Sequence, residues 1–242
     1  MIIINLTAWR ENCHARSKGM SLAKVPQFST LFFDLDETLY ESSSGIWMAI
    51  RDRIGLYLHD YIKLDWEVIP NMRTELYQTY GTTLRGLVAL YDIDPQEYLD
   101  FVHDLPIEKF INPDPVLRDI LISYPQRKLI FTNADHNHAQ RVVHALGIQD
   151  IFEKTIDIQD INPHCKPMTE AFDRALELAG APDPHTCVML DDSQSNLATA
   201  SAMGFTTIRV GSNQLSWDYD FCIPRIHDLP RVLSRNGRKP SL

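Results

Sequence analysis

Leu31-Phe32-Phe33 is an apolar run with Ser29 and Thr30 before it and Asp34, Asp36 and Glu37 after it. That pattern predicts a buried strand that ends where the carboxylates meet solvent. From Ile46 the period changes. Ile46, Ile50, Ile54, Leu58 and Tyr61 recur about every fourth residue, with Arg51, Asp52 and Arg53 between them, which predicts an amphipathic helix. More helical text follows: Trp66 to Tyr80, interrupted early by Pro70 and closed by Gly81; Leu84-Leu87-Val88-Tyr91; and Tyr98-Phe101-Val102, with Pro95 suited to a first turn. Pro106, Pro113 and Pro115 mark the exit from this stretch.

The second buried strand is Leu129-Ile130-Phe131-Thr132. Granting Val116 to Ser123 as a crossover helix, the interval between the two strands still exceeds a simple crossover by roughly 70 residues, which predicts an inserted helical module. From Asn133 the chain alternates. Helices at 136–147, 167–179 and 194–203, ended by Gly147, Gly180 and Gly204, lead to strands at Thr155–Ile158, Cys187–Leu190 and Thr206–Val210. Strands alternating with helices predict a doubly wound, Rossmann-like parallel α/β sheet. The expected organisation is a loose tail over residues 1–27, an α/β core made of 28–40 and 114–242, and an α-helical cap over 41–113. Met20 is a candidate natural start. No internal repeat interrupts this plan.

A net charge of −9 over 242 residues disfavours a nucleic-acid partner, which calls for an excess of Lys and Arg on one face. Cys13, Cys165, Cys187 and Cys222 lie far apart with no C-x-x-C spacing, against a zinc site or a disulfide framework and in keeping with a cytoplasmic protein. No apolar run reaches membrane-spanning length. Monomer and homodimer both remain open.

Ligands of an open parallel sheet bind at the carboxyl ends of its strands. The polar residues there are Asp34 and Asp36 after the first strand, Thr132 and Asn133 after the second, and Asp191 and Asp192 after Cys187–Leu190; Lys166 completes the set from a loop before Pro167, itself expected in a helical first turn. Strand alternation would project Asp34 and Asp36 to one side, a costly pairing that a hard cation such as Mg²⁺ would relieve. The alternative is a strand-to-loop turn with solvated acids. These residue types suit phosphoryl transfer through a covalent intermediate. A carboxylate approaching a phosphate dianion is repelled by about 8 kcal/mol at ~4 Å and an effective dielectric of ~20. Mg²⁺ held by Asp34, Asp192 and the backbone carbonyl of Asp36, with Asp191 in or near its shell, would offset this, aided by Lys166 and Thr132. Asp34 would attack phosphorus; Asp36 would protonate the alkoxide and then activate water.

Asp34-Leu35-Asp36-Glu37-Thr38-Leu39, Thr132-Asn133, Lys166-Pro167 and Asp191-Asp192-Ser193 together resemble, in order and spacing, the four signature motifs of the haloacid dehalogenase-like (HAD) hydrolases. The resemblance spans residues 30 to about 230. It implies the HAD core with an inserted helical cap, Asp34 as nucleophile, Asp36 as general acid/base, Thr132 and Lys166 as phosphate ligands, and Asp191 and Asp192 as metal-site acids. An acid at position 36 resembles the phosphatases of the family. A narrower resemblance, to the pyrimidine 5′-nucleotidase branch, rests on Asp36-Glu37-Thr38-Leu39-Tyr40 and on Tyr80-Gly81-Thr82-Thr83-Leu84-Arg85-Gly86-Leu87. Tyr80 could stack on a base while Thr82, Thr83 and Arg85 bind polar groups of a nucleoside monophosphate. Equally, Gly81 could be a helix C-cap, Thr82 an N-cap and Arg85 a solvated charge.

Other features carry weaker readings. His136, His138 and His144 are expected to cap a helix or sit on the surface. Asn196 would orient the metal acids or cap its helix, and Trp217 to Phe221 reads as an apolar patch or core wall. The rival activity within the class is a sugar-phosphate or phosphoglycolate phosphatase. Outside it stand a phospho-accepting signalling module, whose acid pair would precede the acceptor rather than follow it, and a catalytically silent binding protein, which would have lost Asp34, Asp36 or Lys166.

Overall fold

The computed structural model describes residues 28–211 and 219–234. The expected tail over 1–27, the candidate start at Met20, and Trp217 lie outside the described residues. Among the described residues six strands form one sheet in the order β3-β2-β1-β4-β5-β6, with β1 Thr30–Phe33, β2 Arg127–Phe131, β3 Lys154–Ile156, β4 Cys187–Asp191, β5 Thr206–Val210 and β6 Phe221–Ile223. Every pairing is parallel. The chain runs outward from β1 through β2 to β3, then returns to β1's other side for β4. Adjacent β1 and β4 therefore lead in opposite directions, which opens a crevice at their carboxyl ends.

β1 shows why both faces are covered. Leu31 and Phe33 point into one apolar cluster and Phe32 into the other, as side chains of a strand must alternate. The first cluster includes Leu117 and Leu121 of α5 (Pro115–Ile122) and Val142 and Val143 of α6 (His136–Leu146). The second is packed by Phe172 and Ala175 of α7 (Thr169–Leu178) and Leu197 and Ala200 of α8 (Gln194–Ala202). Phe32 and Phe172 each meet Phe205 edge-on, with ring centroids 5.7 and 6.2 Å apart.

Between β1 and α5 lie four α-helices: α1 Ile46–Asp60, α2 Ile69–Tyr80, α3 Thr83–Leu90 and α4 Pro95–His103. Gly86 lets α3 cross α2 closely, since a Cβ there would stand 2.5 Å from Leu76. Three expectations are corrected. Pro70 starts α2 in its first turn rather than interrupting a helix from Trp66, because the missing N–H costs nothing there. Pro167 precedes its helix, whose N-cap is Met168. β6 was not expected as a strand and shares only Phe221 with the apolar patch or core wall expected over Trp217 to Phe221; three residues are too few to show a period.

Candidate active site

The register of the sheet brings the chemistry together. Phe33 pairs with Ile130 on one side and Leu190 on the other, so Asp34, Phe131 and Asp191 come next at one level. Asp34 N–H donates to Leu190 O at 2.8 Å, extending the ladder by one step. Lys166 Nζ enters between them, donating to Asp34 Oδ1 (2.7 Å), Phe131 O (2.8 Å) and Asp191 Oδ2 (2.9 Å). All three ammonium protons are thereby used, and the side chain is 1% exposed. Asn133 fixes the lysine's own peptide: its Nδ2 donates to Lys166 O and its Oδ1 accepts from Lys166 N, each at 2.9 Å. Both polar ends of Asn133, expected to meet substrate, are occupied in this way.

Asp34, Asp191 and Asp192 each offer a carboxylate oxygen within 4.8 Å of the others. Two such charges at that limit repel by about 3 kcal/mol at an effective dielectric of ~20. Burial, Asp191 and Glu37 push Asp192 up to about 7 against the pull of Lys166. Burial likewise raises Asp34, opposed by Lys166 and reinforced by Asp191 and Asp192. Lys166 is itself raised, since the charges of Asp191 and Asp34 outweigh the cost of its burial. We therefore take the ammonium as charged between its two acids. Fully ionised, three carboxylates against one ammonium carry two excess negative charges, which is the deficit a divalent cation fills. Within the trio, Asp191 is the most fully engaged. Besides Lys166 it accepts from Ser193 N–H (2.8 Å) and from Asn196 Nδ2 at 3.1 and 3.0 Å. Of the two readings for Asn196, orienting an acid is the one the structure bears out.

Asp36 lies elsewhere than expected. β1 ends at Phe33, and the chain turns helically, with Leu39 N–H donating to Leu35 O at 3.0 Å, so strand alternation does not reach Asp36. The turn creates two i, i+4 pairs: Thr38 Oγ1 donates to Asp34 Oδ2 (3.2 Å) and Tyr40 OH to Asp36 Oδ1 (2.6 Å). His138 Nε2 meets the same Asp36 oxygen at 2.8 Å. Burial pushes Asp36 up, but His138 and Tyr40 more than cancel this and hold it below the usual carboxylate range. His138 was expected to cap or face solvent; it is fully buried, because Asp135 caps α6 and the third helical residue turns inward. Its ring stacks on His103 at the end of α4, with centroids 4.4 Å apart. His103 Nδ1 lies 2.9 Å from Asp135 Oδ1, off the line of a well-aimed hydrogen bond. His136 and His144 are exposed, as expected.

Thr132 is buried, its Oγ1 accepting from Ala134 N–H at 3.0 Å. In the insertion, Gly81 closes α2 and Thr82 caps α3 by accepting from Arg85 N–H, so the two capping expectations hold. Arg85 is neither solvated nor turned toward the acids. Its guanidinium donates to Asn162 Oδ1 (2.5 Å), His164 O (2.8 Å) and Ile158 O (3.0 Å), strapping α3 to the loop that carries Lys166. Tyr80 and Thr83 are half-buried, and Tyr80 O accepts from Cys165 Sγ at 3.5 Å. A Cβ on Gly81, whose φ is +84°, would come within 2.7 Å of that sulfur, so glycine is required at this contact. Thr38, Tyr40, His103 and His138 were not predicted as site residues. The i, i+4 spacing from Asp34 and Asp36 could have revealed the first two; nothing local marks the histidines.

A buried lysine thus joins acids from two adjacent parallel strands, with a helical insertion directly after the first. The family model for haloacid dehalogenase-like hydrolases matches residues 28–204, and the chain belongs to this family. It is 30% identical over 196 residues to Phosphate metabolism protein 8 of Saccharomyces cerevisiae, an alignment covering 74% of this chain and 60% of the yeast protein. The chain thus spans about three-fifths of the length of that curated relative. Among solved structures, CbbY from Rhodobacter sphaeroides in complex with phosphate is similar with a TM-score of 0.62 and 18% identity, over 84% of this chain and 96% of that one. A HAD phosphatase from Thermococcus onnurineus gives 0.60 and 19%, over 88% and 100%. The HAD hydrolase YfnB of Bacillus subtilis, bound to magnesium, gives 0.57 and 16%, over 86% and 99%. At these identities the structures support the fold.

Proposed function

We propose that the protein is a Mg²⁺-dependent phosphomonoesterase that works through an aspartyl phosphate on Asp34, acting on nucleoside 5′-monophosphates. The observation that carries this is the Lys166 bridge between Asp34 and Asp191 beside Asp192, a buried set short of two positive charges. Asp34 and Asp192 would hold the cation, because the oxygens of Asp191 already accept from Lys166, Ser193 and Asn196. Mg²⁺ supplies charge neutralisation for the incoming phosphate.

The chain's own groups do the rest. Asp34, its two oxygens oriented by Lys166 and Thr38, attacks phosphorus as the P–O bond to the leaving group breaks. Asp36 rests ionised, so the proton that leaves with the alkoxide arrives on the substrate, as a monoester with a second pKa of about 6 can carry it. Asp36 relays that proton and later takes one from the water that hydrolyses the aspartyl phosphate. Thr132 keeps a hydroxyl proton to offer a phosphoryl oxygen. Lys166 contributes chiefly its charge, since a direct bond to phosphate would require it to exchange a partner. Residues 41–113 act as a cap over this rim. The nucleotide preference is supported by the sequence likeness at Asp36–Tyr40 and Tyr80–Leu87 and leaves Tyr80 and Thr83 as the cap residues available to substrate, Thr82 and Arg85 being engaged. The thiols of Cys165 and Cys187, held in no disulfide, fit a reducing cytoplasm.

The test is a panel of nucleoside monophosphates, sugar phosphates and p-nitrophenyl phosphate with and without Mg²⁺. Hydrolysis should be silenced by EDTA, restored by Mg²⁺ and highest on pyrimidine nucleotides. Turnover indifferent to chelator overturns the metal assignment; preference for a sugar phosphate overturns the substrate.

A further inference from the structure

The buried groups outside the Lys166 cluster form a second constellation. Asp36 Oδ1 receives both His138 Nε2 and Tyr40 OH, at 2.8 and 2.6 Å. His138 is wholly buried and Tyr40 is 6% exposed, so neither donor is exchanged with water. His138 Nε2 is the ring nitrogen that faces Oδ1, and we assign it as the donor there. His138 Nδ1 has no partner, and the flat face of the ring rests on His103. The imidazole is thus aimed at Asp36 alone. His103 is itself tied down: its backbone O accepts from Arg141 Nη1 of α6 at 2.8 Å, and Leu105 O accepts from Arg141 Nη2.

We propose that His138 is a positioning residue for Asp36: with Tyr40 it saturates Oδ1, orients the carboxyl group, and leaves Oδ2 as the oxygen that carries the proton. This rests on the reading of Asp36 as proton carrier. In the forward step Oδ2, having taken the proton the substrate brings, passes it to the alkoxide oxygen as the P–O bond breaks; in the second step Oδ2 takes a proton from water as the hydroxyl oxygen bonds phosphorus and the bond from phosphorus to Asp34 breaks, and the departing phosphate carries that proton away. Oδ1 keeps its two donors throughout. A carboxyl free to rotate would divide its time between oxygens and lose the alignment that proton transfer needs. His103, stacked on the ring, holds the imidazole against turning away.

The test uses leaving groups. Nitrophenolate departs with little protonation, whereas an alkoxide needs it, so kcat/KM on an alkyl phosphate compared with p-nitrophenyl phosphate reports the proton carrier. His138→Gln and His138→Asn differ in reach by one methylene; the glutamine amide can take the place of Nε2, and the asparagine amide falls short. His138→Asn should lower kcat/KM on the alkyl phosphate by about 10- to 100-fold, the value of one hydrogen bond to a charged group, and change the nitrophenyl ester little. His138→Gln should recover most of the loss. Asp36→Asn combined with His138→Asn should equal Asp36→Asn alone. Equal losses on both esters, no distinction between Gln and Asn, or further loss in the double variant would overturn the proposal. If Asp36→Asn itself spares the alkyl ester, the reading of Asp36 fails instead. Thermal unfolding checks each variant. Should either be unfolded at assay temperature, Tyr40→Phe decides, since it removes the other Oδ1 donor and must give the same leaving-group-dependent loss; its absence overturns the proposal.

Discussion

Lys166 and Arg85 each donate to three oxygens, and the contrast between them separates the rim of the sheet from the helical insertion. Lys166 meets two carboxylates and one carbonyl, and the acids around it outnumber it. Arg85 meets two carbonyls and an amide, all neutral, on the loop that delivers Lys166. A cation among excess acids manages charge for a reaction. One spent on neutral backbone groups fixes one part of the chain against another. The same loop is therefore gripped from the sheet by Asn133 and from the insertion by Arg85 and the Tyr80–Gly81 turn.

The contrast can be broken experimentally. Asp34→Asn should reduce hydrolysis of p-nitrophenyl phosphate by roughly 10⁴-fold or more, as loss of a nucleophile does; turnover near wild type would remove Asp34 from the chemistry. Lys166→Met leaves Asp34 and Asp191 facing one another without a counter-charge, so urea unfolding should show a loss of about 3–5 kcal/mol along with activity. Unchanged stability would mean the acids do not depend on the ammonium. Arg85→Met should cost about 1–3 kcal/mol, read by the same unfolding curves, and depress all phosphomonoesters alike. A loss confined to nucleotides would return Arg85 to the substrate.

The smallest effect concerns pH. Burial holds His103 below its ordinary value of 6.5, with Asp135 opposing and His138 reinforcing the shift. The unfolded chain then binds a proton that the folded one refuses. Stability from this residue is intact above 6.5 and falls as pH drops from there toward the lower folded value. His103→Asn should flatten the decline in unfolding midpoint between pH 7.5 and 5.5; an unchanged slope would show that His103 is not buried in its neutral form.

How far the sequence reveals these two regions follows from geometry. Strand ends are fixed by burial and register, so Asp34, Thr132, Asp191 and Asp192 could be placed at one rim from pattern alone, and Lys166 joined them from its loop before Pro167. The fold was legible for the same reason: continuous apolar strands alternate with helices. Orientation on helices is harder to foresee. Whether His138 faces Asp36 or solvent depends on which element packs against the first turn of α6, and whether Arg85 meets a ligand or a loop depends on how α3 lies over residues 158–164. Asp36 escaped for a third reason, since the strand's period stops one residue before Asp34.

Asn133 reads both the N–H and the C=O of the Lys166 peptide, a two-point recognition between residues 33 positions apart. With the lysine docked by its own amide, the intervening segment has little say in where the ammonium arrives. Outside His138 and the 158–164 loop that Arg85 holds, that stretch is free to lengthen, shorten or change composition over evolutionary time while the reactive centre stays in place.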